Sequence, residues 1–368
     1  MKYRVILVEQ DESMLMQLSG ELRASSDFDL VASYQDAKSA LGRGSMFRPN
    51  LFLLDIDDPD TLNQISRFKL VFPQARFMGT MNTWDADIAD RALLAGIQGC
   101  LMKPFKAEDI LTTFSIYDNR GDAKPARIVS FFSPKGRAGR TTLSAILGIE
   151  LARRSGESVA IIDADLQFGD MPMFFDVTPE HTVVEAAHDI NLLTPESLLP
   201  YFHNIQDKLW LLGSPNRPEY AELVEAESLV KVIRMAGQLF RYVLVDLPSG
   251  FNPLSVAVCE QADTNFLVTM INSGEEVWHM KRALRLFDEW GQDGKRVYTV
   301  FMRVSPCNKQ EKRKLEHHFG QPISYILPNE YQLANITASG RLLKDLQDDS
   351  PFTESVAKVA DDIIQGKW

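Results

Sequence analysis

Residues 133–142 read Ser-Pro-Lys-Gly-Arg-Ala-Gly-Arg-Thr-Thr, and they follow directly on the apolar run Ile128–Phe132. A helical pattern begins at once, at Leu143, and stops at Gly156. A strand, a glycine-bearing loop and a helix start together predict a phosphate cradle, because backbone N–H groups and the helix dipole then face the anion. The residues of this cradle are Lys135, Gly136, Arg137, Ala138, Gly139, Arg140, Thr141 and Thr142.

Two other apolar runs end in aspartate, which is typical of buried parallel strands beside a nucleotide site. Asp163 and Asp165 follow one run, and Asp246 follows the run Tyr242–Val245. The carboxyl ends of parallel strands meet at one edge of a sheet, so we expect these carboxylates near the cradle. Asp246 is then placed to hold Mg²⁺ through water, with the Thr141 hydroxyl on the same metal. Three such segments in this order predict a P-loop nucleotide-binding fold.

The segment 119–127 divides the chain, because it is polar, contains Gly121 and Pro125 and has no apolar periodicity. Short apolar runs alternate with longer helical patterns on both sides of it. That alternation predicts parallel sheets with helices on both faces. We therefore expect an α/β chain of two tandem, doubly wound parallel-sheet domains, at 1–118 and 128–368, with a linker at 119–127.

The composition of the 368-residue chain excludes several classes of protein. Apolar residues make up 45% and the formal net charge is −11, which argues against a protein that coats nucleic acid or anionic lipid. Cys100, Cys259 and Cys307 lie far apart, which argues against a disulfide framework or a zinc site. No stretch approaches the roughly 20 apolar residues of a membrane span. We expect a cytoplasmic protein with no transmembrane segment and no nucleic-acid partner.

Polar residues also follow the predicted strands of the first domain. Glu9 and Asp11 follow its first strand, Asp55 the third, Thr80 the fourth and Lys103 the fifth. Acids beside a single aspartate can hold Mg²⁺, and a lysine with a hydroxyl can bind a phosphoryl group placed on that aspartate. These five residues form a candidate phosphoacceptor site.

Two segments of this domain, Leu53–Asp55 and Ala95–Phe105, resemble the receiver domain of response regulators. The resemblance covers nearly the whole domain. It implies that Asp55 is the phosphoacceptor, that Thr80 is the switch hydroxyl and that Lys103 is the phosphate-binding amine.

The receiver pattern has one departure that bears on its chemistry. Receivers have two adjacent acids after the first strand, and here the second is Gln10. An amide is a poorer Mg²⁺ ligand than a carboxylate, and Asp11 is the alternative ligand. Two hypotheses stay open: a phosphorylated receiver, and a pseudo-receiver that keeps the fold for protein contacts while Asp55 stays unphosphorylated.

The cradle itself resembles the deviant Walker A motif of the MinD/ParA ATPases, K-G-G-x-G-K-T-T. The resemblance implies ATP and Mg²⁺ as cofactors and a homodimer in which Lys135 reaches the partner's nucleotide. Asp163 and Asp165 are similar to the second acidic motif of this group, whose carboxylates position the attacking water and contact Mg²⁺. By this resemblance the candidate catalytic residues are Lys135, Asp163 and Asp165.

Two arginines depart from that motif. Arg140 stands in place of the P-loop lysine, and Arg137 stands where the group has glycine. A guanidinium is longer and forked, so it does not simply replace a compact ammonium beneath the phosphates. The base-contacting asparagine of the group is not evident at Phe301–Arg303 either. We expect nucleotide binding with at most slow hydrolysis.

A receiver followed by a MinD/ParA-like ATPase resembles the TadZ/CpaE family of pilus-assembly proteins over essentially the whole chain. The local matches are Asp163–Asp170, Leu211–Pro215, Arg217–Glu219 and Leu327–Glu330. The resemblance implies an ATP-binding, dimerising localisation and assembly factor for the Flp/Tad (type IVb) pilus secretion machinery. Such a factor recruits assembly proteins to a cell pole near the inner membrane, and its contact with the membrane is at most peripheral, through those partners.

Other positioning functions stay open beside this one. A ParA-like partition protein would bind DNA through basic surfaces such as Lys281–Arg285 and Lys309–Lys314. A MinD-like protein would bind membrane through a basic amphipathic tail. The tail 352–368 contains Asp361 and Asp362, which favours packing on the domain. A phosphorylation-controlled response regulator with an ATPase output is the third alternative.

Overall fold

The computed structural model describes residues 2–120, 125–271, 274–289 and 296–367, without the side chains of 116–120. This part of the chain forms two compact units. Unit 1 comprises residues 1–125 together with 193–197, and unit 2 comprises 126–192 and 198–368. Of the predicted linker, residues 121–124 lie outside the described part.

Unit 1 is a parallel sheet between two layers of helices. Its strands are β1 (Tyr3–Val8), β2 (Phe28–Tyr34), β3 (Leu51–Asp55), β4 (Arg76–Met81) and β5 (Cys100–Met102). Its helices are α1 (Glu12–Ala24), α2 (Ala37–Arg43), α3 (Pro59–Val71), α4 (Ala86–Ala95) and α5 (Ala107–Arg120). The strands lie in the order β2-β1-β3-β4-β5 and every neighbouring pair is parallel. The predicted series of β/α units is confirmed.

The strand β1 shows why this sheet is buried on both faces. Val5 and Leu7 pack into one apolar core, while Ile6 and Val8 pack into the core on the opposite face. Successive side chains of a strand point to opposite faces, so a continuous apolar run requires cover on both sides. The helices that supply this cover begin sharply because an aspartate side chain accepts a backbone N–H at their N-termini. These capping residues are Asp11, Asp36, Asp58 and Asp85.

Unit 2 has a larger, mostly parallel sheet. Its strands are β6 (Arg127–Phe132), β7 (Val159–Asp163), β8 (His203–Gln206), β9 (Leu209–Leu212), β10 (Tyr242–Asp246), β11 (Thr264–Met270), β12 (Arg296–Val304) and β13 (Tyr325–Pro328). The helices that follow α5 are α6 (Arg140–Ser155), α7 (Met171–Phe174), α8 (Val183–Asp189), α9 (Pro195–Leu198), α10 (Ala226–Leu239), α11 (Pro253–Gln261), α12 (Glu275–Glu289), α13 (Lys309–Phe319), α14 (Gln332–Ala338), α15 (Leu342–Asp345) and α16 (Pro351–Ile364). They belong to unit 2, except that residues 195–197 of α9 are part of unit 1.

The strand order of unit 2 places a crevice at the end of β6. The order is β13-β12-β11-β6-β10-β7-β9-β8, and only β8 runs antiparallel to its neighbour. The chain leaves β6 toward β7 on one side and returns to β11 on the other, so the direction of winding reverses at β6. Ligands of open α/β sheets bind at the carboxyl ends of the strands at such a reversal. The loop 133–139 begins at this point.

The core of unit 2 confirms the prediction of strands buried on both faces. Every residue of β7 and β10 is buried. Helix α16 packs against α6, and its Val356 and Ile363 are fully buried in the same apolar core. The tail therefore packs on the domain, as expected. Within the described ranges, none of the helices has the length and apolar character needed to cross a bilayer.

The structure differs from the sequence-based prediction at the sheet edge and at the linker. Strand β8 was not predicted, because its residues are polar or half-exposed and form no apolar run. Helix α5 continues to Arg120 and β6 already begins at Arg127. These two elements therefore include residues 119, 120 and 127 of the predicted linker.

Candidate nucleotide-binding site

The loop between β6 and α6 has a left-handed backbone at two positions. Gly139 precedes α6 with φ 83°, and a Cβ added to it would lie 2.8 Å from the Cε atoms of Met270 and Met302. Arg137 also has a positive φ, 58°, which side chains disfavour. The deviant Walker A motif has glycine at position 137, and the left-handed backbone there explains that preference. In this protein the turn is left-handed although arginine occupies the position.

Arg140 is the first residue of α6 and its side chain is buried in the site. It donates from Nη1 to the carbonyl oxygen of Leu247, and its Nη2 lies 3.6 Å from Oδ2 of Asp165. Leu247 follows β10, and Asp165 follows β7. The guanidinium is therefore held at two ends by groups of the protein itself.

Thr141 and Asp246 form the part of the site that suits a metal ion. The Thr141 hydroxyl donates to Oδ2 of Asp246 at 2.5 Å. The other carboxylate oxygen, Oδ1, is buried and accepts no hydrogen bond from the described residues. Burial raises the pKa of Asp246 to about 6, against the charge of Arg140 and the Thr141 hydrogen bond. A hydroxyl beside an unsatisfied carboxylate oxygen fits Mg²⁺, which prefers oxygen ligands.

Asp163 lies next to Asp246, but its carboxylate is hydrogen-bonded to other groups of the protein. Its Oδ2 accepts hydrogen bonds from the Ser214 hydroxyl at 3.0 Å and from the Met171 N–H at 3.2 Å. Burial, followed by the charge of Asp246, holds the pKa of Asp163 well above its usual range. This carboxyl anchors the segment that follows β7.

Arg140, Thr141 and Asp165 line a cavity of about 770 Å³. Residues 136–142 line it, together with Asp165, Asp170, Ser249 and Arg303. Ligand sites typically have about 300–1,000 Å³, so Arg137 and Arg140 leave room for a small molecule. The predicted residues Lys135, Asp163 and Asp246 lie outside this lining: Lys135 is exposed on the loop, whereas Asp163 and Asp246 are buried at the ends of their strands.

A smaller cavity of about 170 Å³ adjoins the first and shares Thr142, Met270 and Arg303 with it. Apolar side chains such as Leu333 line it beside Asn329. The sequence analysis looked for a base-contacting residue at Phe301–Arg303 but did not assign Asn329 to the site. The only signal for this part of the site was the position of Arg303 and Asn329 near the ends of β12 and β13.

The predicted acid site of unit 1 converges on a buried lysine. Lys103 donates from Nζ to Glu9 at 2.8 Å and to Asp55 at 2.9 Å, and Asp57 lies 3.6 Å away. Burial lowers the pKa of Lys103, but the hydrogen bonds to Glu9 and Asp55 outweigh burial and raise it overall. The sequence analysis did not single out Asp57, whose Oδ2 also accepts two hydrogen bonds from Asn82.

The remaining residues of the predicted phosphoacceptor site have other surroundings. The Asp11 side chain accepts the Met14 N–H at 2.7 Å as the N-cap of α1, so it is used by the helix and does not join Lys103. Gln10 is exposed. The Thr80 hydroxyl is buried and finds no hydrogen-bond partner among the described residues. The structure brings together Glu9, Asp55 and Lys103 and pairs Thr80 with Asp55 across β3 and β4, but it does not bring Asp11 to Lys103.

Comparison with known proteins gives relatives for both halves. No protein-family model matches the chain. The VraR response regulator of Staphylococcus aureus is 27% identical over 112 residues, which cover 30% of this chain and 54% of VraR. The "Putative septum site-determining protein MinD" of Nephroselmis olivacea is 30% identical over 162 residues, 42% of this chain. The chain thus spans about half the length of each of these two relatives, with 56% of the second covered.

Solved structures show the same fold. A ParA family ATPase from Chlorobium tepidum superposes with a TM-score of 0.58 at 22% identity, over 64% of this chain and 98% of that one. The cell division ATPase MinD of Pyrococcus furiosus gives 0.56 at 20% identity, over 65% and 99%.

A second algal protein, from Chlorella vulgaris and with the same printed name as that of Nephroselmis, matches more of its own length. It is 30% identical over 234 residues, which cover 59% of this chain and 77% of the relative. With the P-loop geometry described above, this match identifies the chain as a member of the MinD/ParA-like family of P-loop ATPases.

Proposed function

We propose that the protein is an ATP-binding positioning factor whose homodimer forms around the nucleotide, with at most slow hydrolysis. The cavity of about 770 Å³ lined by residues 136–142 carries this proposal. Backbone N–H groups of the loop and the N-terminus of α6 would hold the phosphates. Thr141 and Asp246 would hold Mg²⁺, which supplies charge neutralisation at the phosphates when bound.

The surroundings of the acids support slow turnover. Asp163 accepts hydrogen bonds from Ser214 and Met171, and Asp165 is paired with Arg140. Asp163 lies outside the lining of the cavity and Asp165 is occupied by the ion pair, so neither carboxylate is placed to take a proton from an attacking water. The arrangement favours a protein that senses nucleotide occupancy rather than one that consumes ATP rapidly.

Lys135 supports the dimer. It is exposed and does not line the cavity of its own chain. An exposed ammonium beside a phosphate site can neutralise charge on a nucleotide held by a second copy. Pairing of two copies would then depend on both nucleotides being present.

The Lys135→Ala variant tests the dimer. We expect wild-type protein with ATP and Mg²⁺ to show dimer mass in light scattering, and Lys135→Ala to bind ATP but remain largely monomeric. Lys309→Ala, which removes an exposed lysine from α13, is the control and should dimerise normally. An unchanged dimer mass for Lys135→Ala would refute the role of this lysine. Absence of ATP affinity at millimolar concentration would refute the nucleotide site.

We infer further that this factor recruits assembly proteins of the Flp/Tad pilus secretion machinery to a cell pole, from the cytoplasmic side of the inner membrane. The support is the resemblance of Asp163–Asp170 and Leu211–Pro215 to the TadZ/CpaE family, together with the succession of the two units. The names of the MinD and ParA relatives support the alternative, a factor that positions another cargo.

A fluorescent fusion in the native host distinguishes the two. We expect a focus at one pole, loss of Flp pili on deletion and no rescue by Thr141→Ala. A deletion strain with normal pili, or a fusion that gathers at mid-cell or on the nucleoid, would contradict the pilus role and favour the other cargo.

A further inference from the structure

Asp165 stands between two cavities. It lines the nucleotide cavity described above, and it also lines a second cavity of about 440 Å³. The second cavity is mainly apolar and is formed by Leu166, Val224, Pro248 and Leu254, among others. A change in the position of this one carboxylate therefore alters the lining of both cavities.

Arg140 holds Asp165 on the nucleotide side. The guanidinium Nη2 lies 3.6 Å from Asp165 Oδ2, while Nη1 donates to the carbonyl oxygen of Leu247. Leu247 directly precedes Pro248 of the second cavity. The arginine thus connects the strand ends that form the wall between the two cavities.

The position of Arg140 makes this pair an obstacle to phosphate. Arg140 is the first residue of α6 and lines the cavity where the helix N-terminus would hold an anion. A guanidinium binds phosphate through two parallel hydrogen bonds, which are stronger than a single contact with a carboxylate at 3.6 Å. A phosphate in the cavity would therefore compete with Asp165 for the same cation.

The segment that carries Asp165 can respond to this competition. The Asp165 N–H donates to Asp163 at 3.3 Å, and Asp165 Oδ1 accepts the Phe168 N–H at 3.4 Å. Both are long hydrogen bonds, and the Phe168 side chain is 76% exposed. Leu166 is buried, whereas Asp165 and Phe168 are held by these long hydrogen bonds and by the ion pair with Arg140.

We propose that Arg140 and Asp165 form an exchangeable ion pair: phosphate takes the guanidinium, and the released Asp165 segment rearranges the wall of the second cavity. The proposal rests on the proposed nucleotide binding and adds a residue role that depends on arginine at position 140. Asp165 is then a positioning residue that weakens nucleotide binding in the empty site and transmits occupancy to its other side.

Calorimetric titration with ADP in EDTA tests the exchange without a contribution from Mg²⁺. Asp165→Asn keeps the shape of the side chain but removes the competing charge, so we expect its affinity to rise about tenfold, the scale of one charge-assisted contact. Asp170→Asn is the matched control, since Asp170 is an exposed acid that lines the same cavity. The affinity of this control for ADP should rise no more than about threefold, because it loses a negative charge near the phosphates but no ion pair with Arg140.

Hydrogen exchange supplies a readout of the rearrangement. ADP should change amide exchange across residues 164–168 of the wild type, and Asp165→Asn should show the changed exchange without ADP. Equal gains in ADP affinity for the two variants would overturn the proposed exchange of the ion pair. ADP binding by the wild type without a change in amide exchange across residues 164–168 would overturn it too. Neither result would contradict nucleotide binding itself. Absence of binding in all three proteins would overturn the proposed function and this inference with it.

Discussion

Lys103 shows how much a single buried charge can determine in this protein. Its side chain is fully buried and serves Glu9 and Asp55 at once. Burial of a charge is tolerated only where partners compensate it. Each carboxylate in turn depends on the lysine for charge compensation, so the burial of each of the three residues depends on the others.

Replacement of Lys103 by methionine should therefore be costly at neutral pH. We expect Lys103→Met to lower the free energy of unfolding by about 3 kcal/mol, because it leaves carboxylates buried without their cation. Urea denaturation at pH 7.5 checks this. Lys106→Met, an exposed lysine three residues away, should change stability by less than about 0.5 kcal/mol.

The same variant should depend on pH in a defined direction. Burial already raises the pKa of Glu9, and the Lys103 hydrogen bond opposes that rise. Without the lysine the pKa of Glu9 rises further above its unfolded-state value, so the folded state binds the proton more tightly. Stability lost at pH 7.5 should partly return at pH 5. A deficit that stays constant between these pH values would show that lost packing, not charge, causes it.

Among the helices, α16 shows whether the tail of the chain packs on unit 2 or binds a membrane. Its buried face packs on α6, and its exposed face carries Asp361, which is paired with Arg154 through hydrogen bonds of 2.7 and 2.6 Å. An amphipathic helix that binds anionic lipid has a basic polar face. This helix instead forms part of the core of unit 2.

Truncation of a buried side chain in α16 tests this assignment. Ile363→Ala should lower the free energy of unfolding by roughly 2–4 kcal/mol, as large-to-small changes in cores do. The control Glu354→Ala, on the exposed face of the same helix, should stay within about 0.5 kcal/mol. A small effect of Ile363→Ala, combined with sedimentation of the wild type with anionic vesicles, would contradict a packed tail.

Most elements could be predicted from the sequence because their chemistry is local. Continuous apolar runs such as Tyr242–Val245 became strands buried on both faces. Strand β8 could not be predicted, since an edge strand gains its pairing from a neighbour rather than from its own apolar residues. In the site, the loop and Asp246 follow from local motifs. The cavity beside Asn329 and the Arg140–Asp165 pair depend on which strand ends the sheet order brings together.

The whole molecule combines two units that handle acidic residues differently. In unit 1 the carboxylates Glu9 and Asp55 are neutralised internally by Lys103. In unit 2 one carboxylate oxygen of Asp246 accepts no hydrogen bond from the part of the chain that the structure describes. The first arrangement fits both hypotheses for unit 1, because the receiver resemblance itself places the Lys103 amine beside Asp55. The second fits a metal ion held by Thr141 and Asp246.

The left-handed turn at Arg137 has a consequence for finding proteins of this kind. Here the bend has persisted with a bulky side chain in a position suited to glycine, so the surrounding strand and helix dictate the path of the main chain. A strict search for the letters of the Walker A motif would pass over this loop, because Arg137 and Arg140 depart from them, whereas a search by torsion angles would retrieve it. Divergent nucleotide-binding loops could therefore be identified by the backbone torsion angles of this one turn.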